Sequence, residues 1–262
     1  MRPALQVNNL TMDFGGLRAL DSFDLTISDG EIVALIGPNG AGKTTLFNCI
    51  TGLYSPSGGD MFISPDSHKK IRLNGLKPHI ITARGMTRTF QNIRLFPSMT
   101  VLENVMIGRH CRTSSGVLGA VLRSNATRKE ESEIVEHSYN ILVKIGLIDF
   151  VNELARNLPY GAQKRLEIAR ALATDPFLLL LDEPAAGLNA QETKELDSLI
   201  VKIRDEENIT ILLIEHDMKL VMSISDRIVV MDYGRKIAQG SPYEIRTNPV
   251  VIKAYLGEEF VA

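Results

Sequence analysis

Gly37-Pro38-Asn39-Gly40-Ala41-Gly42-Lys43-Thr44-Thr45 decides how this chain is read. The stretch fits G-x-x-x-x-G-K-[ST], the pattern of a loop that wraps a nucleotide's phosphates. Its glycines let successive backbone N–H groups turn inward toward negative charge. Lys43 adds a mobile cation for the β- and γ-phosphates, and the Thr44 hydroxyl is placed to ligate Mg²⁺. The flanks agree. Ile32-Val33-Ala34-Leu35-Ile36 reads as a buried strand before the loop, and Thr45 to Ile50 as a helix after it, its N-terminus favouring anions. A chance match in a glycine-bearing turn does not explain this strand–loop–helix context, so the stretch is a nucleoside triphosphate site.

The rest of the composition sets bounds. At 262 residues, 44% hydrophobic and 23% charged, the chain has the makeup of an ordinary globular protein with a substantial core. A formal net charge of −2 and a pI near 6.2 give no global basic field to recruit nucleic acid. Cys49 and Cys111 do not form a disulfide framework, which makes a reducing cytosol the default, and Cys49 reads as a small core residue. Met1 to Gln6 lacks the apolar core of a signal peptide. The longest obvious apolar run, Phe177 to Leu181, falls far short of the ~20 residues that span a bilayer. Work at a membrane would need another chain to do the spanning.

Outward from the loop, Leu5 to Leu10 and Phe23 to Ile27 alternate apolar with polar, as half-buried antiparallel strands do. Between them Phe14 lies beside Gly15-Gly16, and spacing alone leaves it open between a core side chain and a ring stacked on a base. Gly52 to Gly75 reads as hairpins and loops at one edge. Arg88 to Gln91 reads as a short strand running into a loop that carries Leu95-Phe96-Pro97, apolar surface suited to a partner. From Thr100 to Ala173 the pattern is helical: Ile134, Ser138, Ile141, Leu142 and Ile145 share a face, and Gly146 is placed as a stop. Arg128 to Glu131 reads as a solvated face, and Ser114 to Thr127 as a mobile connection. Leu178 to Leu181 then fits a central parallel strand, with Asp182-Glu183 at the carboxyl end, where open α/β sheets bind ligands. Asn189 caps a helix carrying Leu196, Leu199, Ile200 and Ile203 inward. Thr210 to Ile214 is a further buried strand ending in Glu215-His216-Asp217, and the segments around Asp232 to Arg235 form a hairpin. Ser241-Pro242-Tyr243-Glu244 and Asn248-Pro249 are helix starts.

Taken in order, Gln91, Leu158-Pro159-Tyr160-Gly161-Ala162-Gln163, Asp182-Glu183, Ala186 to Asn189 and His216 resemble the motifs of ABC transporter ATP-binding subunits, over roughly Leu5 to Gly257. The resemblance implies a P-loop NTPase of the ABC ATPase fold: an α/β core with a mostly parallel sheet, an antiparallel β edge and an inserted helical subdomain. It divides one ABC ATPase domain into a nucleotide-binding core (1–99 and 174–240), a helical signature lobe (100–173) and a helical tail (241–262). It implies ATP and Mg²⁺ as cofactors. Pro38 to Thr45 and Gly37 would bind the triphosphate, with Phe14 stacked on adenine. Thr44, Gln91 and Asp182 would hold the metal, and Lys43, Gln91, Glu183 and His216 would carry hydrolysis, Glu183 orienting the attacking water. Leu158, Pro159, Tyr160, Gly161 and Ala162 would cover the ATP of a second subunit. Pro159 replaces the family's Ser, Tyr160 a Gly and Ala162 the usual Gln, which puts completion of the partner's site in doubt.

Thr87 to Val101, the Leu-x-Tyr-Gly signature and Asn248 to Gly257 are similar to ATPase subunits of branched-chain amino acid importers. That similarity implies a second, different or identical ATPase subunit, two transmembrane permease subunits, an extracytoplasmic binding protein met indirectly, no nucleic acid, and a place on the cytoplasmic face of the inner membrane. A soluble ABC ATPase outside transport and a nucleotide-gated binding module with weak hydrolysis stay open as other classes.

Overall fold

The computed structural model describes residues 2–66, 69–112 and 125–256. Most of the expected connection over Ser114 to Thr127 lies outside the described residues; its last positions begin a helix. The chain forms two compact units, residues 1–88 with 177–262, and residues 89–176. Residues 89–99, expected in the core, cluster with the second unit, and the tail clusters with the first.

In the first unit two sheets form. β1 (Pro3–Phe14), β2 (Leu17–Ser28), β4 (Gly58–Asp66) and β5 (Lys69–Arg72) make an antiparallel sheet in the order β2-β1-β4-β5. β3 (Ile32–Ile36), β6 (Met86–Arg88), β7 (Leu178–Asp182), β8 (Thr210–Ile214), β9 (Arg227–Asp232) and β10 (Arg235–Gly240) make the other, ordered β10-β9-β3-β8-β7-β6. All its pairings are parallel except β9–β10. Every residue of β3, β7 and β8 is buried, as the unbroken apolar runs of those strands require in a sheet covered on both faces. One apolar cluster joins the two sheets through Phe47 and its neighbours on α1 (Lys43–Ile50). Cys49 is buried on that helix, and burial pushes its thiol up to about 11, which leaves it inert at neutral pH.

Local sequence signals set the ends of the remaining elements. α2 (Pro78–Ala83) begins with proline in its first turn. In the second unit, α3 (Val101–Arg109) starts on a Thr100–Glu103 capping box. α4 (Asn125–Ile145) buries Ser138, Ile141, Leu142 and Ile145, with Ile134 half-buried, and stops at Gly146, φ 71°. α5 (Tyr160–Leu172) packs so closely on α3 that a Cβ at Gly108 would sit 2.3 Å from the Arg170 carbonyl oxygen. Back in the first unit, α6 (Ala190–Glu207) opens on an Asn189–Glu192 capping box, and α7 (Met218–Ile224) on Asp217. α8 (Pro242–Arg246) has the Ser241–Glu244 box, and α9 (Pro249–Leu256) follows. Among the described residues no helix is long and apolar enough to cross a membrane.

The strand expected over Arg88 to Gln91 is displaced, covering only Met86–Arg88. Beyond Arg88 the backbone N–H groups of Phe90 and Arg94 turn to the Glu167 carboxylate, each at 3.4 Å. Two substitutions gauge what these elements contribute. Leu180→Ala, at a fully buried position, should cost about 2–5 kcal/mol of unfolding free energy, and Asn189→Ala, at an exposed cap, about 1 kcal/mol. Urea unfolding midpoints of the two variants check both the values and their order.

Candidate functional site

The carboxyl ends of β3, β7 and β8 lie side by side, because Leu35 and Asp182 both register with Ile214. Each of these strands gives way at that edge to a loop bearing a candidate group. After β3 the chain passes through the phosphate loop, where a Cβ at Gly37 would sit 2.0 Å from the Met231 carbonyl oxygen and one at Gly42 would sit 2.6 Å from that of Ala19. Only glycine lets the loop press this closely on the strands beneath it. Gly42, with φ 109°, is the N-cap of α1, so the loop feeds directly into the helix N-terminus. Lys43 is buried and its Nζ donates to the carbonyls of Gly37 at 2.7 Å and Pro38 at 2.9 Å. Burial pushes its pKa down, while the nearby charge of Glu183 opposes that shift.

Asp182, the last residue of β7, is buried, and Glu183 after it turns the chain with a left-handed φ of 48°. A β-carbon residue pays strain for that conformation, and such outliers cluster where a side chain must be aimed. Glu183 is aimed at the loop after β8: its Oε1 lies 2.9 Å from His216 Nε2. The Glu183 side chain is 18% exposed and His216 44%, so this pair stands at the surface of the edge while Asp182 lies below it.

Asp182 has a partner that the sequence did not announce. Arg88, at the end of β6, donates from Nη2 to Asp182 Oδ2 at 2.6 Å, and both side chains are only 6% exposed. Arg88 also reaches Asn48 Oδ1 at 2.7 Å on α1. No short motif links Arg88 to Asp182. Only the alignment of β6 beside β7, with Arg88 opposite Leu180, brings the two together. Phe14 sits at the β1–β2 hairpin tip, 42% exposed, with its ring edge-on to Tyr54 at 5.4 Å, a second aromatic that spacing did not single out.

Gln91 and Leu158 to Ala162 belong to the second unit. Pro159 is the N-cap of α5, Tyr160 opens the helix with an exposed ring, and Leu158, Gly161 and Ala162 are buried. One face of α5 holds the segment that carries Gln91. Lys164 Nζ donates to the Gln91 carbonyl at 2.9 Å, Arg170 Nη1 to the Arg94 carbonyl at 2.5 Å, and Glu167 accepts from Phe90 and Arg94. Burial raises the Glu167 carboxyl, which those N–H groups, Arg170 and Lys164 partly offset. The spacing i, i+3, i+6 is legible on a helix, but its backbone target is not.

Known proteins match this chain along its length. A family model described as ABC transporter matches residues 20–186, and one described as branched-chain amino acid ATP-binding cassette transporter matches residues 235–261. The high-affinity branched-chain amino acid transport ATP-binding protein LivG of Salmonella typhimurium is 52% identical, over 98% of this chain and 99% of its own. BraF of Pseudomonas aeruginosa, of the same description, is 51% identical over the same shares. Among solved structures, an ATP-binding cassette of an ABC transporter in its ADP conformation matches with a TM-score of 0.84 and 31% identity, over 98% of this chain and 100% of that one. A dimeric cassette in a post-hydrolysis state with ADP and phosphate matches with a TM-score of 0.74 and 26% identity, over 91% and 98%. With relatives matched from end to end and a family model over well more than half its length, the chain belongs to the ABC transporter family, as one of its ATP-hydrolysing ATP-binding cassettes.

Proposed function

We propose that this cassette drives an importer of branched-chain amino acids from the cytoplasmic face of the membrane, pairing with a second ATPase subunit and two permease subunits. The relatives' names and the matched C-terminal model support the substrate class. The observation that carries the catalytic reading is the Glu183–His216 contact at 2.9 Å on the strand edge that also bears Lys43.

Phosphoryl transfer asks the protein mainly for position and charge. In this reading the N–H groups of Gly37 to Thr45 wrap the β- and γ-phosphates of ATP. Lys43 Nζ exchanges its carbonyl partners for phosphate oxygens, a short reach for a side chain already lying on the loop. Phe14 offers its exposed ring to the adenine. Glu183 accepts a hydrogen bond from the attacking water, and His216 gives up Glu183 to hold the γ-phosphate. The Thr44 hydroxyl and the Asp182 carboxylate are oxygen donors of the kind Mg²⁺ takes, and they would hold it beside the phosphates. Bound there, Mg²⁺ would neutralise charge on the β- and γ-oxygens.

The N-terminus of α5 faces the ATP of the other subunit in this scheme, so two chains close around two nucleotides and reopen after hydrolysis. The segment from Gln91 to Met99 passes that motion to the permease through Phe96, which is exposed and has the Arg170 guanidinium 5.7 Å from its ring centre. Leu95, beside it, is half-buried.

Glu183→Gln should lower the hydrolysis rate at least ~10²-fold while ATP still binds, as loss of a proton-handling group does. Phosphate release and equilibrium nucleotide binding measure the two parts, and full turnover refutes the role. Phe96→Ser should abolish amino acid uptake by the reconstituted complex and leave the ATPase activity of the isolated chain near normal. Undiminished uptake counts against the transmission route.

A further inference from the structure

Glu215, the first residue after β8, is 4% exposed and has no part in the scheme above. Its two carboxylate oxygens face two different loops. Oε1 accepts the N–H of Ala185 at 2.7 Å, in the loop that leaves β7 after Glu183. Oε2 accepts the N–H of His216 at 2.9 Å and that of Asp217 at 3.4 Å, in the loop that leaves β8. Asp217 in turn caps α7 through Lys219 and Leu220, so the second loop is anchored on its far side as well. Glu183 completes the ring of contacts, its own N–H bonding the Ile214 carbonyl at 2.9 Å.

Burial of this carboxylate and the charge of Glu183 raise its pKa, while the three backbone N–H groups oppose the rise. A buried charge set beside a second carboxylate is an expensive way to close a loop. What it delivers here is geometric: two backbone segments, one following each member of the Glu183–His216 pair or carrying it, are clasped by one rigid planar group.

We propose that Glu215 is a positioning residue for hydrolysis, clasping the loop after Glu183 to the loop that carries His216 and so fixing the spacing of the two backbone points from which those side chains reach. The proposal rests on the reading of Glu183 and His216 as hydrolytic groups. It acts through them and assigns Glu215 no contact with nucleotide.

Hydrolysis by the full-length chain, scored as kcat and KM separately, tests it in single and double variants. Glu215→Ala should lower kcat toward the ~10²-fold that a displacement of about an ångström costs, with KM for ATP nearly unchanged. Glu215→Gln keeps the shape and one acceptor oxygen, and should fall between that variant and the parent. In a His216→Ala background, already slow, Glu215→Ala should add almost nothing, because the clasp has lost what it positions. Full additivity, a rise in KM at constant kcat, or parent-level activity in Glu215→Gln overturns the proposal. His216→Ala with parent activity overturns the catalytic reading itself, a separate failure. Should Glu215→Ala not fold, Glu215→Gln, checked by thermal melting, carries the same comparison alone and with His216→Ala.

Discussion

The alignment of three neighbouring parallel strands sets everything else in the first unit. Ile211 lies between Ile32 on β3 and Leu179 on β7, and the register holds to Ile214, so the strands end together. Because both faces of the sheet are buried and packed, a slip of one residue would exchange the side chains of the two faces and move the strand's end by one position. The loops that follow therefore start from fixed points. The phosphate loop, Glu183 and His216 need only short excursions from that edge, which is how a parallel sheet makes a site from residues far apart in the chain.

The edge also concentrates buried charge. Lys43, Asp182, Arg88 and Glu215 are all nearly excluded from water. Burying a charge is unfavourable unless hydrogen bonds and opposite charges replace hydration, and replacing such pairs with apolar residues often stabilises a protein. Each of these groups has its replacements: backbone carbonyls for Lys43, Arg88 for Asp182, backbone N–H groups for Glu215. Arg88 matters twice over, since its pairing with Asp182 and with Asn48 ties the acidic strand end to the helix that starts at the phosphate loop. Stability alone does not call for this arrangement.

What the sequence made legible was whatever nearest neighbours along the chain determine. The strand–loop–helix at Gly37 to Thr45, the caps at Asn189 and Ser241, and the stop at Gly146 are properties of a few consecutive residues, and they appear where their chemistry put them. Asp182 and Glu183 were visible because a run of leucines isolates them. The Arg88–Asp182 pair, the Phe14–Tyr54 contact and the clasp by Glu215 were not, since each depends on strand order and register and no periodicity encodes them. The misplaced strand at Arg88 to Gln91 has the same origin: the segment has strand-like composition, but Glu167 on α5 offers its N–H groups another acceptor.

That last contact bears on the unusual start of α5. Pro159 at the N-cap has no hydroxyl to offer to a phosphate or to the helix's own N–H groups, and such a cap forgoes about 1 kcal/mol. The helix begins cleanly nonetheless, with the Pro159 carbonyl accepting from Gln163 N and the Gln163 side chain donating to the Leu158 carbonyl at 2.9 Å. An anion at this end would then meet backbone N–H groups and the helix dipole without a side-chain hydroxyl, a weaker but less selective attraction. The grip of Lys164, Glu167 and Arg170 on residues 90–94 means that any pull felt at that N-terminus is felt by the Gln91 segment too, because the same helix holds both. Three charged side chains, Lys164, Glu167 and Arg170, thus tie the helix that starts at Pro159 to the segment leading to Phe96, whether or not a hydroxyl stands at its N-cap.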